Sequence, residues 1–301
     1  MPDLRTSSPA RFIVFLTGLA LFAFLSVYLL TSFFGRDRES SVSLGGDKIG
    51  VVEIKGVILN SEHILKTLNR YVDDRNVKGI LLRIDSPGGA VAPSQEIYDE
   101  IRKIHKEGKK KVVASFGNVA ASGAYYVASA ADRIVANPGS LTGSIGVIME
   151  MTNIRELLDK IGIDSYVIKS GEFKDIGNMT RPMTEREHRL IQGVINDIYM
   201  QFVEDVASGR KMDVAKVKKI ADGSIFSGRQ ALGLGLVDKL GSFQDAVDLL
   251  AGMSGIRGKP RLIYERKAGP SWLDYVAKGT LRKVFQLVKG EAFNGIFYLM
   301  Q

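Results

Sequence analysis

Cysteine is absent from all 301 residues, which excludes disulfide scaffolds, zinc-thiolate sites and a cysteine nucleophile. Histidine is scarce, with only His63, His105 and His188. His105 lies in IRKIHKEGKKK and His188 in TEREHRL, both charged helical patterns, and none of the three falls in a glycine-rich turn at a strand end. A Ser-His-Asp triad therefore has little to draw on. The body of the chain also lacks a strong excess of positive charge. Of the net +8, a balance of +6 comes from Arg257 onward, where nine Lys/Arg face three Asp/Glu. That distribution argues against a nucleic-acid-binding core. It leaves a basic tail that either faces an acidic partner such as a membrane surface or is simply solvated.

From Phe12 to Phe34 the chain runs 23 residues without a charge. As a helix rising ~1.5 Å per residue it spans roughly 34 Å, enough to cross a bilayer. The run is longer than the ~7–15 apolar residues of a cleaved signal peptide and ends in bulky Phe33-Phe34. The expectation is one transmembrane helix over 12–34, with residues 1–11 cytoplasmic and the rest of the chain outside the cytoplasm. That orientation rests on Arg5 and Arg11 against Arg36 and Arg38, which alternate with Asp37 and Glu39. Residues 35–46 read as a polar linker.

From residue 47 the pattern alternates strand and helix. Ile49 to Ile54 and the nearly continuous apolar Val77 to Ile84 read as strands buried on both faces of a parallel sheet. Helical patterns follow each, the second over Ser94 to Lys106, so the class is α/β with right-handed crossovers. Tyr166 to Ile168 reads as a short strand, and Phe226 to Leu240 as a turn and strand. Thr184 to Ser208 reads as the longest helix of the soluble part, opened by a Thr184/Glu187 capping box. Trp272 to Lys289 reads as a basic amphipathic helix, suited to lie on a membrane or to cover the core or a neighbouring subunit.

Residues Gly117 to Ala131, GNVAASGAYYVASAA, stand between two apolar β-branched runs. A strand that turns through small residues into a helix at Ser122-Gly123 places one hydroxyl at a helix N-terminus, where unpaired N–H groups can hold an oxyanion. Serine is equally a favoured N-cap, and small-residue runs also serve close packing. The turn Asp85-Ser86-Pro87-Gly88-Gly89 ends the preceding strand, and its glycines can aim a second backbone N–H outward. Both turns fall on the sheet edge where open α/β folds bind ligands. With histidine set aside, the common partner of a serine is a lysine, which must be uncharged to accept a proton; burial lowers a lysine pKa from ~10.4 toward ~7–8. Lys174 in SGEFKDIG follows a predicted strand, yet among 41 Lys and Arg spacing alone does not choose it.

The segments DSPGG, GNVAASGAYYVASAADRIVANPGSLTGSIGV, SGEFKDIG and ALGLGLVDKLGS resemble the successive motifs of the signal peptide peptidase A family, bacterial membrane-anchored Ser/Lys proteases. The match covers roughly Lys48 to Gly255, in the family's order and in a single copy. The resemblance implies a Clp protease/crotonase-like spiral of ββα units as the peptidase domain over 47–255, with a basic tail over 256–301. It implies Ser122 as nucleophile, Lys174 as general base, Ser144 as the hydroxyl that orients the lysine, and Gly89 and Gly123 as oxyanion-hole donors. Ala124 departs from the glycine expected after Ser122-Gly123.

The implied activity is degradation of cleaved signal peptides and other apolar unfolded peptides at the bacterial inner membrane. The implied partners are peptide substrates, membrane lipid and further copies of the chain, in a homo-octamer by resemblance, with no cofactor, metal or nucleic acid. Two rivals stand beside it: a crotonase-type enzyme acting on acyl thioesters, and a catalytically silent membrane scaffold that binds peptides.

Overall fold

The computed structural model describes residues 47–265 and 297–299, together with residues 19, 22 and 24–26, which are helical. The chain divides into two compact units, Met1–Gly46 and Asp47–Gln301. Most of the expected transmembrane run, the linker over 35–46 and the amphipathic stretch Trp272 to Lys289 lie outside the described residues. Among the described residues no helix is long and apolar enough to cross a membrane.

In the second unit the elements follow as β1 (Lys48–Lys55), α1 (Glu62–Asp73), β2 (Val77–Ser86), β3 (Gly88–Ala90), α2 (Val91–Lys106), β4 (Lys111–Ala121), α3 (Gly123–Ser129), β5 (Arg133–Ala136) and β6 (Leu141–Gly143). Then come α4 (Arg155–Ile161), α5 (Glu185–Arg210), α6 (Val214–Lys218), β7 (Ile225–Ser227), α7 (Gly228–Leu234), β8 (Lys239–Leu240), α8 (Phe243–Met253), β9 (Arg261–Tyr264) and β10 (Phe297–Leu299). Eight described strands share one sheet, in the order β7-β6-β4-β2-β1-β9, with β5 joined to β4 and β8 to β5. All its pairings are parallel except β6 with β7.

The continuous apolar runs follow from burial on both faces. Successive side chains of a strand point to opposite sides, so Val52, Ile54, Ile80, Leu82 and Ile84 enter one core while Ile49, Val51 and Leu81 enter another. The first core holds residues of α1, α2, α3 and α5. The second is closed by Ala246, Val247 and Leu250 of α8.

Strand β4 does two jobs. Its first half pairs with β5, Val113 against Arg133, and its second half with β6, Ala121 against Gly143. Between the halves the register with β2 jumps from Ile84↔Phe116 to Ser86↔Ala120. Asp85 fills the resulting bulge, accepting from the backbone N–H groups of Asn118 and Val119 at 3.1 Å each. A Cβ on Gly117 would lie 2.9 Å from Asp85 Cγ, so the bulge needs glycine there.

Three expectations change. Tyr166 to Ile168 is not a strand: the segment is exposed and pairs with nothing, because a β-branched run makes a strand only beside a sheet edge. Within Phe226 to Leu240, residues 228–234 form helix α7, opened by a Ser227/Gln230 capping box. The folded domain also continues past residue 255, since β9 pairs in parallel with β1, Lys48 against Arg261. The expected helix over Thr184 to Ser208 is present as α5, with its Thr184/Glu187 capping box formed. Its C-terminal part buries Phe202, Val203 and Val206, whereas Leu190 and Val194 nearer its start are exposed.

Candidate active site

The β4 bulge delivers Ser122 to the start of α3 in a strained backbone, φ 54° and ψ −124°. A non-glycine residue there costs about 1–3 kcal/mol and persists only where its surroundings enforce it. The enforcement is visible on both sides of the residue. Ser122 N–H donates to Gly143 O at 2.8 Å, and Ser122 O accepts from Tyr126 N–H at 2.8 Å. Every residue of α3 is buried. Tyr125 hydroxyl donates to Leu236 O at 2.9 Å, burial pushing its pKa well up, and Tyr126 hydroxyl bonds Asp205 of α5. The rings of Tyr126 and Phe202 stand 4.8 Å apart, edge to face.

Against this fixed frame the Ser122 hydroxyl is buried and has no hydrogen-bond partner. A buried polar atom without a partner costs roughly 1–3 kcal/mol, which a plain structural serine would avoid by capping. Ser122 makes no such cap bond. Gly123 is the first helical residue, so its N–H has no partner within the helix.

Ser144 stands beside the nucleophile candidate. The pairing Ala121↔Gly143 in parallel register makes the next residues, Ser122 and Ser144, neighbours across the strands. Ser144 also has positive φ, 51°; of three described non-glycine residues with that conformation, two are these serines. Its N–H donates to Ser224 O at 2.8 Å, and it lines a cavity of about 510 Å³ with Val147, Ile195, Tyr199, Asp222 and Ile225.

Gly89 lies in β3, buried and bridged to Ile58, with Ala90 N–H donating to Ile58 O at 2.8 Å. A Cβ on Gly89 would lie 2.1 Å from Ile58 O, so the position admits only glycine. Strand β3 packs against α3 and carries β10 on its edge in antiparallel register, Tyr298 opposite Gly89. The chain's own C-terminal segment thus lies along the strand that holds this candidate donor.

Lys174 is placed differently. It sits in a run of turns over 170–177, with its N–H on Gly171 O at 3.1 Å. Its side chain is exposed and makes no ion pair or hydrogen bond among the described residues, so within one chain it does not reach the Ser122 hydroxyl. The histidines are elsewhere: His63 pairs with Glu265 at 2.7 Å, His105 with Asp132 at 3.0 Å, and His188 is exposed.

Sequence reasoning passed over two groups. Asp85 was only part of a turn, but its carboxylate shapes the bulge that aims β4 at Ser122. Arg181 carried no motif at all. It bridges Asp175, next to Lys174, and the buried Glu187 of α5. Its guanidinium, with the Thr184 backbone N–H, lowers the Glu187 pKa to about 2, and Arg181 with Lys169 holds Asp175 below the usual carboxylate range.

Residues 104–257 match the family model of peptidase family S49, and residues 58–140 match that of Clp protease. A candidate protease of Synechocystis sp. is 46% identical over 211 residues, 69% of this chain and 75% of that protein. A candidate signal peptide peptidase SppA of Enterococcus faecium is 41% identical over 191 residues, 64% of this chain and 55% of that protein. A candidate protease of Methanocaldococcus jannaschii is 37% identical over 240 residues, 78% of this chain and 76% of that protein. Among solved structures, a serine-to-alanine mutant of the 1510-N membrane-bound stomatin-specific protease covers 75% of this chain, with all of its own length matched. Its TM-score is 0.50 at 15% identity, which shows the shared Clp protease-like α/β fold.

Proposed function

Because the chain belongs to peptidase family S49, we propose that it is a membrane-anchored serine endopeptidase in which Ser122 and Lys174 form the catalytic dyad, acting on cleaved signal peptides and other apolar unfolded peptides. The observation that carries this reading is the Ser122 hydroxyl, buried, unpartnered and held at positive φ where a helix begins. Neutral Lys174 takes the hydroxyl proton as Oγ attacks the peptide carbonyl carbon. The oxyanion that forms is met by the N–H groups of Gly89 and Gly123. The lysine ammonium then protonates the departing amine, and water cleaves the acyl ester, restoring the serine. Ser144, next to Ser122 in register, orients the lysine. The pairing of β10 with β3 supports a substrate laid as an extended strand along Gly88–Ala90.

Lys174 must come closer to Ser122 than one chain brings it. Residues 146–186 expose Leu157, Ile161, Ile163, Tyr166, Val167 and Ile168, six large apolar side chains on one arm. In this reading that arm docks on a neighbouring copy of the chain, and the homo-oligomer completes the site. The uncharged run 12–34 anchors each copy in the membrane, with the catalytic unit outside the cytoplasm.

The test compares the full chain with Ser122→Ala and Lys174→Ala on an apolar peptide. Each variant is expected to lose about 10⁴-fold or more in kcat with unchanged circular dichroism. Near-normal turnover by either sinks the dyad. Acyl-thioester turnover surviving Ser122→Ala would favour the crotonase-type reading. Failure of a fluorophosphonate to label Ser122 in folded protein would favour a silent scaffold.

A further inference from the structure

We propose that Arg181 is the positioning residue of the base: it clamps the turn that carries Lys174 to the start of α5, and through α5 to the helix that begins at Ser122. The inference rests on the Ser122/Lys174 reading. No residue between Ile145 and Glu187 is buried, so the arm that carries Lys174 has no apolar core of its own. Phe173 and Ile176, the apolar residues nearest Lys174, are half-buried.

Ion pairs take over where burial is missing. The Asp175 carboxylate accepts from Arg181 Nε at 2.9 Å and pairs with Lys169, while the Arg181 guanidinium also reaches the Asp175 carbonyl oxygen at 3.4 Å. The other edge of the same guanidinium meets Glu187, Nη1 donating to Oε2 at 2.9 Å and Nη2 to Oε1. Glu187 is only 2% exposed and is fixed in turn by the capping box: Oε2 accepts from Thr184 N–H at 2.8 Å, and Glu187 N–H donates to Thr184 Oγ1 at 3.2 Å. Two positive and two negative groups balance in this cluster, and the planar fork joins both carboxylates at once, which a lysine cannot do.

The clamp is continuous with the nucleophile. From Glu187, α5 runs to Phe202, which packs on Tyr126 of α3, and α3 begins immediately after Ser122. The nucleophile is therefore braced at one end of α5 by buried rings, and the turn that carries Lys174 is held at the other end by one guanidinium, the placement from which a neighbouring copy docked on the arm brings the base to the hydroxyl. Cutting the clamp leaves Ser122 in place and lets the Lys174 turn drift. A displacement of about 1 Å costs about 10²-fold in rate.

The test uses the full chain carrying Arg181→Gln or Arg181→Lys, with active sites counted by fluorophosphonate labelling of Ser122. Per labelled site, Arg181→Gln is expected to lose about 10²-fold in kcat with KM little changed, and its pH-rate profile to move toward higher pH. Arg181→Lys keeps the charge without the fork and recovers part of the loss. A merely structural role would lower the number of labelled sites and leave kcat per site and the pH profile unmoved. That result overturns the proposal. If Arg181→Gln does not fold, Asp175→Ala removes the carboxylate that the fork grips, and normal kcat per site there overturns it equally. Lys174→Ala measured alongside separates the two ideas. Turnover surviving Lys174→Ala removes the dyad and the clamp's role with it, whereas a dead Lys174→Ala beside a normal Arg181→Gln removes the clamp alone.

Discussion

The two halves of the candidate site are built by opposite means. Around Ser122, β4, β6 and α3 are packed until no side chain of α3 is exposed, and parallel register sets Ser122 beside Ser144. Around Lys174, a stretch of forty-one residues, 146–186, buries none of them and is tied down by the Asp175-Arg181-Glu187 bridge. Burial gives a stiff frame that tolerates a strained serine and an unsatisfied hydroxyl. Ion pairs at a surface give a tether whose strength follows pH and salt. In the proposed dyad the nucleophile is held in one strained pose before substrate arrives, while the base on its exposed arm is brought into place by what packs against it.

The sharpest way to break the nucleophile half without touching Ser122 is Gly89→Ala. The added methyl collides with the Ile58 carbonyl, displacing β3 and its N–H, so kcat should fall about 10²–10³-fold, as for loss of one oxyanion donor. Steady-state kinetics on the folded variant check this, and a loss under tenfold would separate Gly89 from the oxyanion. Next in size is a pair of truncations that contrasts the halves. Phe202→Ala, in the core that carries α3, should destabilise the domain by about 3–5 kcal/mol, while Lys160→Ala on the arm should change stability by about 0.5 kcal/mol or less. Urea titration of both measures the contrast directly.

Acid should act most strongly on the base half. Glu187 has a folded pKa depressed from 4.5 to about 2, so its contribution is fully present above pH ~4.5 and is lost as pH falls through about 2; Asp175 shifts in the same direction. Amide exchange over 170–187 should therefore speed up across that window while α3 stays protected. Equal loosening of α3 would contradict the division. The smallest expected effect comes from the C-terminal segment. A tethered strand on β3 competes with substrate at an effective concentration on the order of millimolar, so removing residues 296–301 should lower KM several-fold and leave kcat unchanged.

Much of the frame was legible in the residues. The unbroken apolar run of β2 required burial on both faces, the small residues after β4 foretold a strand-to-helix turn at Ser122, and Thr184 with Glu187 announced the start of α5. These are local features whose physics is complete within a few residues. The misses share the opposite character. Tyr166 to Ile168 had strand composition but no edge to pair with, and β9 joins a strand more than two hundred residues earlier. Arg181 was one cation among 41 until the fold set two carboxylates against its two edges.

By itself, the order of residues determined the α/β class, the absence of cysteine chemistry, and which serine stands where a strand becomes a helix. Those follow from side-chain periodicity, backbone freedom and elimination, all of which act along the chain. Only the tertiary structure decided that Ser144 neighbours Ser122, that the Ser122 hydroxyl is left unpartnered, and that Lys174 stands exposed on an arm held by one guanidinium. Those depend on register and on which distant groups meet, and no segment carries that information until the sheet has formed.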